Sequence, residues 1–257
     1  MTVELHHRID GSGPRVLLLH AVGMDLTLLD AITTILAKEF SVLRTDLRGH
    51  GRSPYVPAAS LEDYADDVHA LLTRLKFAPC AVAGFAMGGM VAQALAVKYP
   101  QDVSALVLAN INHQQTEQSF AALMGRVEDA RRGGMAPILD VTMERWFNAP
   151  FRQKGGDAAV RTRLLANDIR GWCDGFTAMA SVNTASKLKS IKVPTLCLAG
   201  EVDKSTPPAV VKAMADAIPG ARYAVLPNGP HMPFVEMPEE TAKVVGGFLK
   251  DVLAPTR

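Results

Sequence analysis

In the run Gly84-Phe85-Ala86-Met87-Gly88-Gly89, two glycines flank a single small side chain between a short apolar stretch and a helical one. This is the pattern of a nucleophile elbow, Gly-x-Ser-x-Gly, in which a strained strand-to-helix turn lifts the central side chain clear of the backbone. Serine is expected at the centre, and alanine stands there. Glycine suits the flanking places because a Cβ at either would meet neighbouring backbone. Further along, residues 198–208 end one apolar run and open a helical one, carrying Glu201 and Asp203. A carboxylate there projects from the carboxyl edge of a sheet, where open α/β sheets bind ligands. Asp203 is the candidate acid, with Glu201 as its alternative. His231, in Gly229-Pro230-His231-Met232, falls in the loop before the last helical segment, where an imidazole can serve as a general base. A hydroxyl, an imidazole and a carboxylate together perform acyl transfer through a covalent intermediate. Here the hydroxyl is the missing member.

The segment His20-Ala21-Val22-Gly23 follows the first apolar run. Gly23 permits a sharp turn, so the N–H groups of Val22 and Met87 can converge on one point and stabilise an oxyanion. His20 reads as a hydrogen-bonded loop histidine. The stretch Asp46-Leu47-Arg48-Gly49-His50-Gly51-Arg52-Ser53 reads as a loop organiser, with no chemistry assigned to it.

The elements that must position these groups are visible as alternating patterns. Residues 16–19, 42–44, 81–83, 105–108, 195–198 and 223–226 are short aliphatic runs that predict strands buried on both faces. Residues 61–75, 90–99 and 208–218 show helical spacing, and a final helix begins near Pro238. Such alternation predicts an α/β fold with a parallel sheet between two helical layers. Residues 112–189 break the rhythm, with several helical patterns and no convincing strand. They predict a helical cap inserted into a core made of residues 1–111 and 190–257.

With 257 residues, the chain is long enough to bury a stable core without staples. Cys80, Cys173 and Cys197 are an odd count with no metal-ligand spacing, and they read as reduced core residues of a cytoplasmic protein. No metal and no cofactor are expected. There is no signal-like amino terminus and no apolar stretch near the roughly 20 residues that span a bilayer. A formal net charge of +1, with 27 basic and 26 acidic residues, gives no footprint for nucleic acid or an anionic membrane. The expected partner is a small-molecule substrate, and the oligomeric state is left open.

Several segments resemble the α/β-hydrolase superfamily, and within it the 3-oxoadipate enol-lactonase branch. They are the strand and loop from Leu43 to Ser53, the elbow from Gly84 to Gly89, the run Ala105-Leu106-Val107-Leu108-Ala109-Asn110, and Gly133-Gly134-Met135 followed by Arg145-Trp146-Phe147. Thr206-Pro207-Pro208-Ala209 and Ile218-Pro219-Gly220-Ala221-Arg222-Tyr223 extend the likeness. The resemblance implies an α/β-hydrolase fold with a mostly parallel eight-stranded sheet and a helical cap. It also implies opening of a lactone or carboxylic ester by a serine, and the order elbow, acid, histidine at 86, 203 and 231 is the one that fold uses.

Ala86 then reads as the inactivated serine-to-alanine form of such an enzyme, able to bind substrate but not to form an acyl-enzyme. Two other readings stand beside it: a natural His-Asp general-base enzyme that works without a nucleophile, and a non-catalytic binding protein. Residues 112–189 carry eleven basic and eight acidic side chains, a lid charge of +3 that suits a carboxylate-bearing substrate as well as it suits solvated helix faces. Phe85, Trp146 and Phe147 are candidate substrate contacts, with Trp172 a further aromatic on the cap side.

Overall fold

The computed structural model describes residues 2–58 and 60–254. Seven strands form one sheet: β1 (His7–Asp10), β2 (Arg15–Leu19), β3 (Ser41–Thr45), β4 (Cys80–Phe85), β5 (Val103–Ala109), β6 (Thr195–Gly200) and β7 (Arg222–Leu226). Their order is β1-β3-β2-β4-β5-β6-β7, parallel throughout except for β1, which runs antiparallel to β3. The aliphatic runs of β2 and β4 are buried on both faces, as near-continuous apolar strands require.

The sheet has seven strands among the described residues rather than the eight expected. Ahead of β1, the Val3 amide goes to Asp67 Oδ1 (2.8 Å) and the His6 amide to Ser53 Oγ (2.9 Å), so these residues give their N–H groups to side chains instead of to another strand. Strand β1 itself, His-Arg-Ile-Asp, has no apolar run to betray it, because an edge strand with one wet face needs none.

Helices α1 (Asp30–Leu36), α2 (Leu61–Leu75) and α3 (Met87–Lys98) connect the first strands. The chain leaves β2 in one direction to reach β3, then returns past β2 to β4. Right-handed crossovers in opposite directions put α1 and α2 on opposite faces. That reversal opens a crevice at the carboxyl ends of β2 and β4, the switch point at which such sheets bind ligands.

Between β5 and β6 lie α4 (Glu117–Gly133), α5 (Ala136–Trp146), α6 (Ala149–Gln153), α7 (Ala158–Leu165) and α8 (Ile169–Ala180), followed by a 3-10 turn at Ala185–Ser190. Within this stretch the described residues make one isolated β-bridge, Gln114 to Asn183. Its helix starts are written in local chemistry. Thr116 and Ser119 form a reciprocal capping box on α4, and the Asp168 carboxylate accepts the Arg170 amide at the start of α8. Helices α9 (Pro208–Ala217), α10 (Pro233–Glu236) and α11 (Pro238–Leu253) complete the chain, and α11 packs on α1. No helix among the described residues is long and apolar enough to cross a membrane.

Candidate active site

Helix α3 starts at Met87, three residues earlier than apolar spacing suggests, because Gly88 and Gly89 have no side chains to reveal the periodicity. Ala86 sits in the turn at φ 48°, ψ −120°, a backbone region that L-residues rarely adopt and that costs of order 1–3 kcal/mol. Surrounding bonds hold it there. Its amide donates to the Ala109 carbonyl (3.0 Å), and its carbonyl accepts the Gly89 (2.9 Å) and Met90 (3.2 Å) amides. A Cβ on Gly84 would collide with the Gly88 carbonyl, and one on Gly88 with the Leu19 carbonyl. The two glycines thus let α3 start hard against β4 and β2.

Val22 lines the same cavity as Ala86, and Met87 follows Ala86 in the chain; both residues are buried, and neither amide has a hydrogen-bond partner among the described residues. The loop that carries Val22 is tied down by its neighbours. Asn167, just ahead of α8, donates from Nδ2 to the Gly23 carbonyl (2.8 Å), and Arg163 pairs with Asp25 (3.4 Å).

Asp203 lies beyond the end of β6 and His231 beyond β7. Gly200 lets these two loops touch, since a Cβ there would strike the Gly229 and Pro230 carbonyls. His231 Nδ1 donates to Asp203 Oδ2 at 2.8 Å, which leaves the Nε2 lone pair free to accept a proton. The other carboxylate oxygen, Oδ1, accepts the Ser205 (2.7 Å) and Thr206 (2.9 Å) amides. Burial pushes the Asp203 carboxyl up, but the His231 imidazole and the hydrogen bonds from His231, Asn110 and Thr206 outweigh it and hold the carboxyl below its ordinary value. Asp203 is therefore ionised at neutral pH. Glu201 is elsewhere, exposed and accepting the Asn228 amide at 2.7 Å.

Ala86, Val22 and His231 line one cavity of about 90 Å³ at the switch point, under helices α4, α5 and α8. Trp146 lines it too, its ring 6.3 Å from that of His231. Phe85 and Phe147 do not. Phe85 packs on Phe234 (ring centroids 4.4 Å apart), and Phe147 packs on Phe151 (5.3 Å). Trp172 stacks on Phe176 (4.0 Å), and it is Phe176 that reaches the cavity.

Asn110 is a site residue that motif spacing does not single out. At φ 58° it turns the chain at the end of β5, and its Nδ2 donates to Asp203 Oδ2 (2.9 Å). Asparagine tolerates that left-handed backbone better than most residues, and its position after an apolar strand is the one signal available. His20 has both ring nitrogens engaged, Nδ1 with the Ala21 carbonyl (2.8 Å) and Nε2 with the Leu47 amide (3.0 Å), and burial lowers its pKa. It supports the loop and does not line the cavity. Asp46 gathers the amides of Leu26 (2.7 Å) and Arg52 (2.8 Å) and the ring of His6 (2.8 Å). Among the described residues no group of three His, Cys, Asp or Glu side chains could hold a metal ion. The three thiols are buried and free, with those of Cys80 and Cys197 pushed up to about 12 by burial.

Residues 13–238 match the model of the Hydrolase_4 family, described as serine aminopeptidase, S33. The chain is 26% identical to 3-oxoadipate enol-lactonase 1 of Acinetobacter baylyi over 244 residues, 94% of this chain and 90% of that one. Among solved structures it superposes on a malate-bound thermophilic esterase from Thermogutta terrifontis with TM-score 0.91 and 29% identity, covering 97% of this chain and 94% of that one. The enol-lactonase from Burkholderia xenovorans LB400 gives TM-score 0.90 and 30% identity, covering 96% of each chain.

Proposed function

Because the chain belongs to the Hydrolase_4 family of α/β hydrolases, with esterases and enol-lactonases among its relatives, we propose that its site is that of a lactone or carboxylic ester hydrolase. The observation that carries this reading is the ionised Asp203 bonded at 2.8 Å to Nδ1 of His231, which lines the same cavity as Ala86. In the serine form, His231 Nε2 takes the hydroxyl proton as the oxygen attacks the substrate carbonyl. Asp203 fixes the imidazole tautomer and stabilises its cation, and the Val22 and Met87 amides receive the oxyanion. Return of the proton to the leaving oxygen opens the ring or releases the alcohol, and water brought in by the same histidine frees the acid.

Alanine has no hydroxyl to give. No acyl-enzyme forms, and turnover falls by about a millionfold relative to the serine form, while the binding groups stay in place. Ala86 is accordingly read as an inactivating serine-to-alanine replacement. The test is the reversion Ala86→Ser, assayed against enol-lactones and aryl esters. A gain of several powers of ten is expected, and a variant that folds but remains as inert as the parent contradicts the hydrolase reading.

The acid–histidine pair is fully assembled without any contribution from residue 86, and this favours a second reading, a general-base enzyme in which His231 acts on substrate or water directly. In that case the chain turns over with Ala86 in place and stops turning over in His231→Ala.

A further inference from the structure

Two cations line the cavity, Arg126 from α4 and Arg145 from near the end of α5. Of the six other arginines in residues 112–189, four are paired with a carboxylate and none lines the cavity. Arg132, Arg161, Arg163 and Arg170 each hold an aspartate. Arg126 has no carboxylate partner among the described residues. It is half-buried, its guanidinium rests over the Phe176 ring at 5.1 Å, and its hydrogen bond runs from Nη2 to Thr142 Oγ1 at 2.6 Å. The Thr142 hydroxyl proton is itself spent on the Ile138 carbonyl (2.7 Å), so threonine and ring fix the orientation of the guanidinium without neutralising it. Burial, with the charge of Arg145 added, pulls the Arg126 pKa down to about 10. It remains charged at neutral pH.

A cation half withdrawn from water with no counter-charge is destabilising, and the cost is offset only when an anion arrives. The planar fork of a guanidinium fits a carboxylate through two parallel hydrogen bonds. We propose that Arg126, with Arg145 adding its charge, is the recognition point for a carboxylate on the substrate, so that the site selects lactones or esters bearing a free carboxylate besides the scissile bond. The ester or lactone part of this statement rests on the function proposed above; the carboxylate part rests on Arg126 alone. A neutral ester would leave the guanidinium unpaired and bind more weakly.

Titration calorimetry on the chain as it stands tests this without turnover, since Ala86 cannot form an acyl-enzyme. The probes are the monomethyl esters of succinate, glutarate and adipate and the corresponding dimethyl esters. At least one monomethyl ester is expected to bind about tenfold or more tightly than its dimethyl counterpart, the gain of a charge-assisted hydrogen bond. The preference should vanish in Arg126→Met and in Arg126→Gln, which keeps a donor for Thr142, and should survive in part in Arg126→Lys. Equal affinities for every pair, no measurable binding of any monomethyl ester, or a preference unchanged in Arg126→Gln overturns the proposal. Should Ala86→Ser be inert while the Arg126-dependent preference holds, ester cleavage is rejected and the carboxylate site stands.

Discussion

The floor and the roof of the cavity are built on different principles. On the floor, the acid itself is held by protein on both of its oxygens. Asp203 accepts from His231, Asn110 and two backbone amides, and the unusual Ala86 turn is closed on both sides by backbone hydrogen bonds. On the roof, Arg126 and Arg145 bring charge to the cavity, and Arg126 has an aromatic face and a threonine but no counter-ion among the described residues. An acid bonded on both oxygens holds the histidine in a fixed geometry, as proton transfer needs. The roof is left incomplete until a ligand completes it, as selection needs. Floor and roof are joined at many points, among them Asn167 on the Gly23 carbonyl, Asp174 with Tyr55 and Asn148 with Glu236.

The sharpest break of this comparison comes from the floor. In the Ala86→Ser form, His231→Ala should remove about 10⁶ of turnover and Asp203→Asn about 10⁴, the losses typical of a base and of the acid that orients it. Steady-state kcat reads both, and losses below tenfold would mean that the pair is structural. Asn110→Leu removes one charge-assisted bond to Asp203, and kcat is expected to fall roughly 10- to 100-fold with KM little changed. A change confined to KM would place Asn110 in binding instead.

The support beneath the floor predicts a pH dependence. Burial, reinforced by the nearby His20, pulls the His50 pKa down to about 3, and burial lowers that of His20. Below pH 6.5 the unfolded chain therefore takes up protons that the folded chain refuses. Stability is full above pH 6.5 and is lost as pH falls toward the folded-state values, by about 2 kcal/mol for His50 between pH 6.5 and 5. Denaturant unfolding at the two pH values measures it, and His50→Gln should flatten the slope. A parent chain equally stable at both would refute the neutral, buried state of these rings.

The smallest effect is expected at the joint. Asn167→Ala should cost about 1 kcal/mol of hydrogen bonding, read in the Ala86→Ser form as a fivefold to tenfold lower kcat at nearly unchanged melting temperature. Loss of thermal stability without loss of rate would make Asn167 a prop of the roof alone.

Much of the floor was legible in the chain because its signals are local. A glycine pair around residue 86, an acid after one strand and a histidine after another are readable wherever short motifs sit at element ends, and α2 runs from Leu61 to Leu75 as its spacing predicts. The roof was legible only as a run of helices. Phe85 and Phe147 looked like substrate contacts by type and place but turn into packing against Phe234 and Phe151. Phe176 and Arg126, which do line the cavity, sit in helices whose cavity-facing side depends on how they dock.

The sequence by itself determined the alternation of strand and helix, the elbow with alanine at its centre, and the placing of Asp203 and His231 after strands, because periodicity, glycine sterics and turn chemistry act over a few residues. Tertiary structure alone decided that Asn110 meets Asp203 across 93 positions of chain, and that, among the described residues, the eighth strand is absent and Arg126 faces the cavity without a counter-ion. Those outcomes depend on which surfaces come together when the layers pack, and packing joins residues that no local pattern connects.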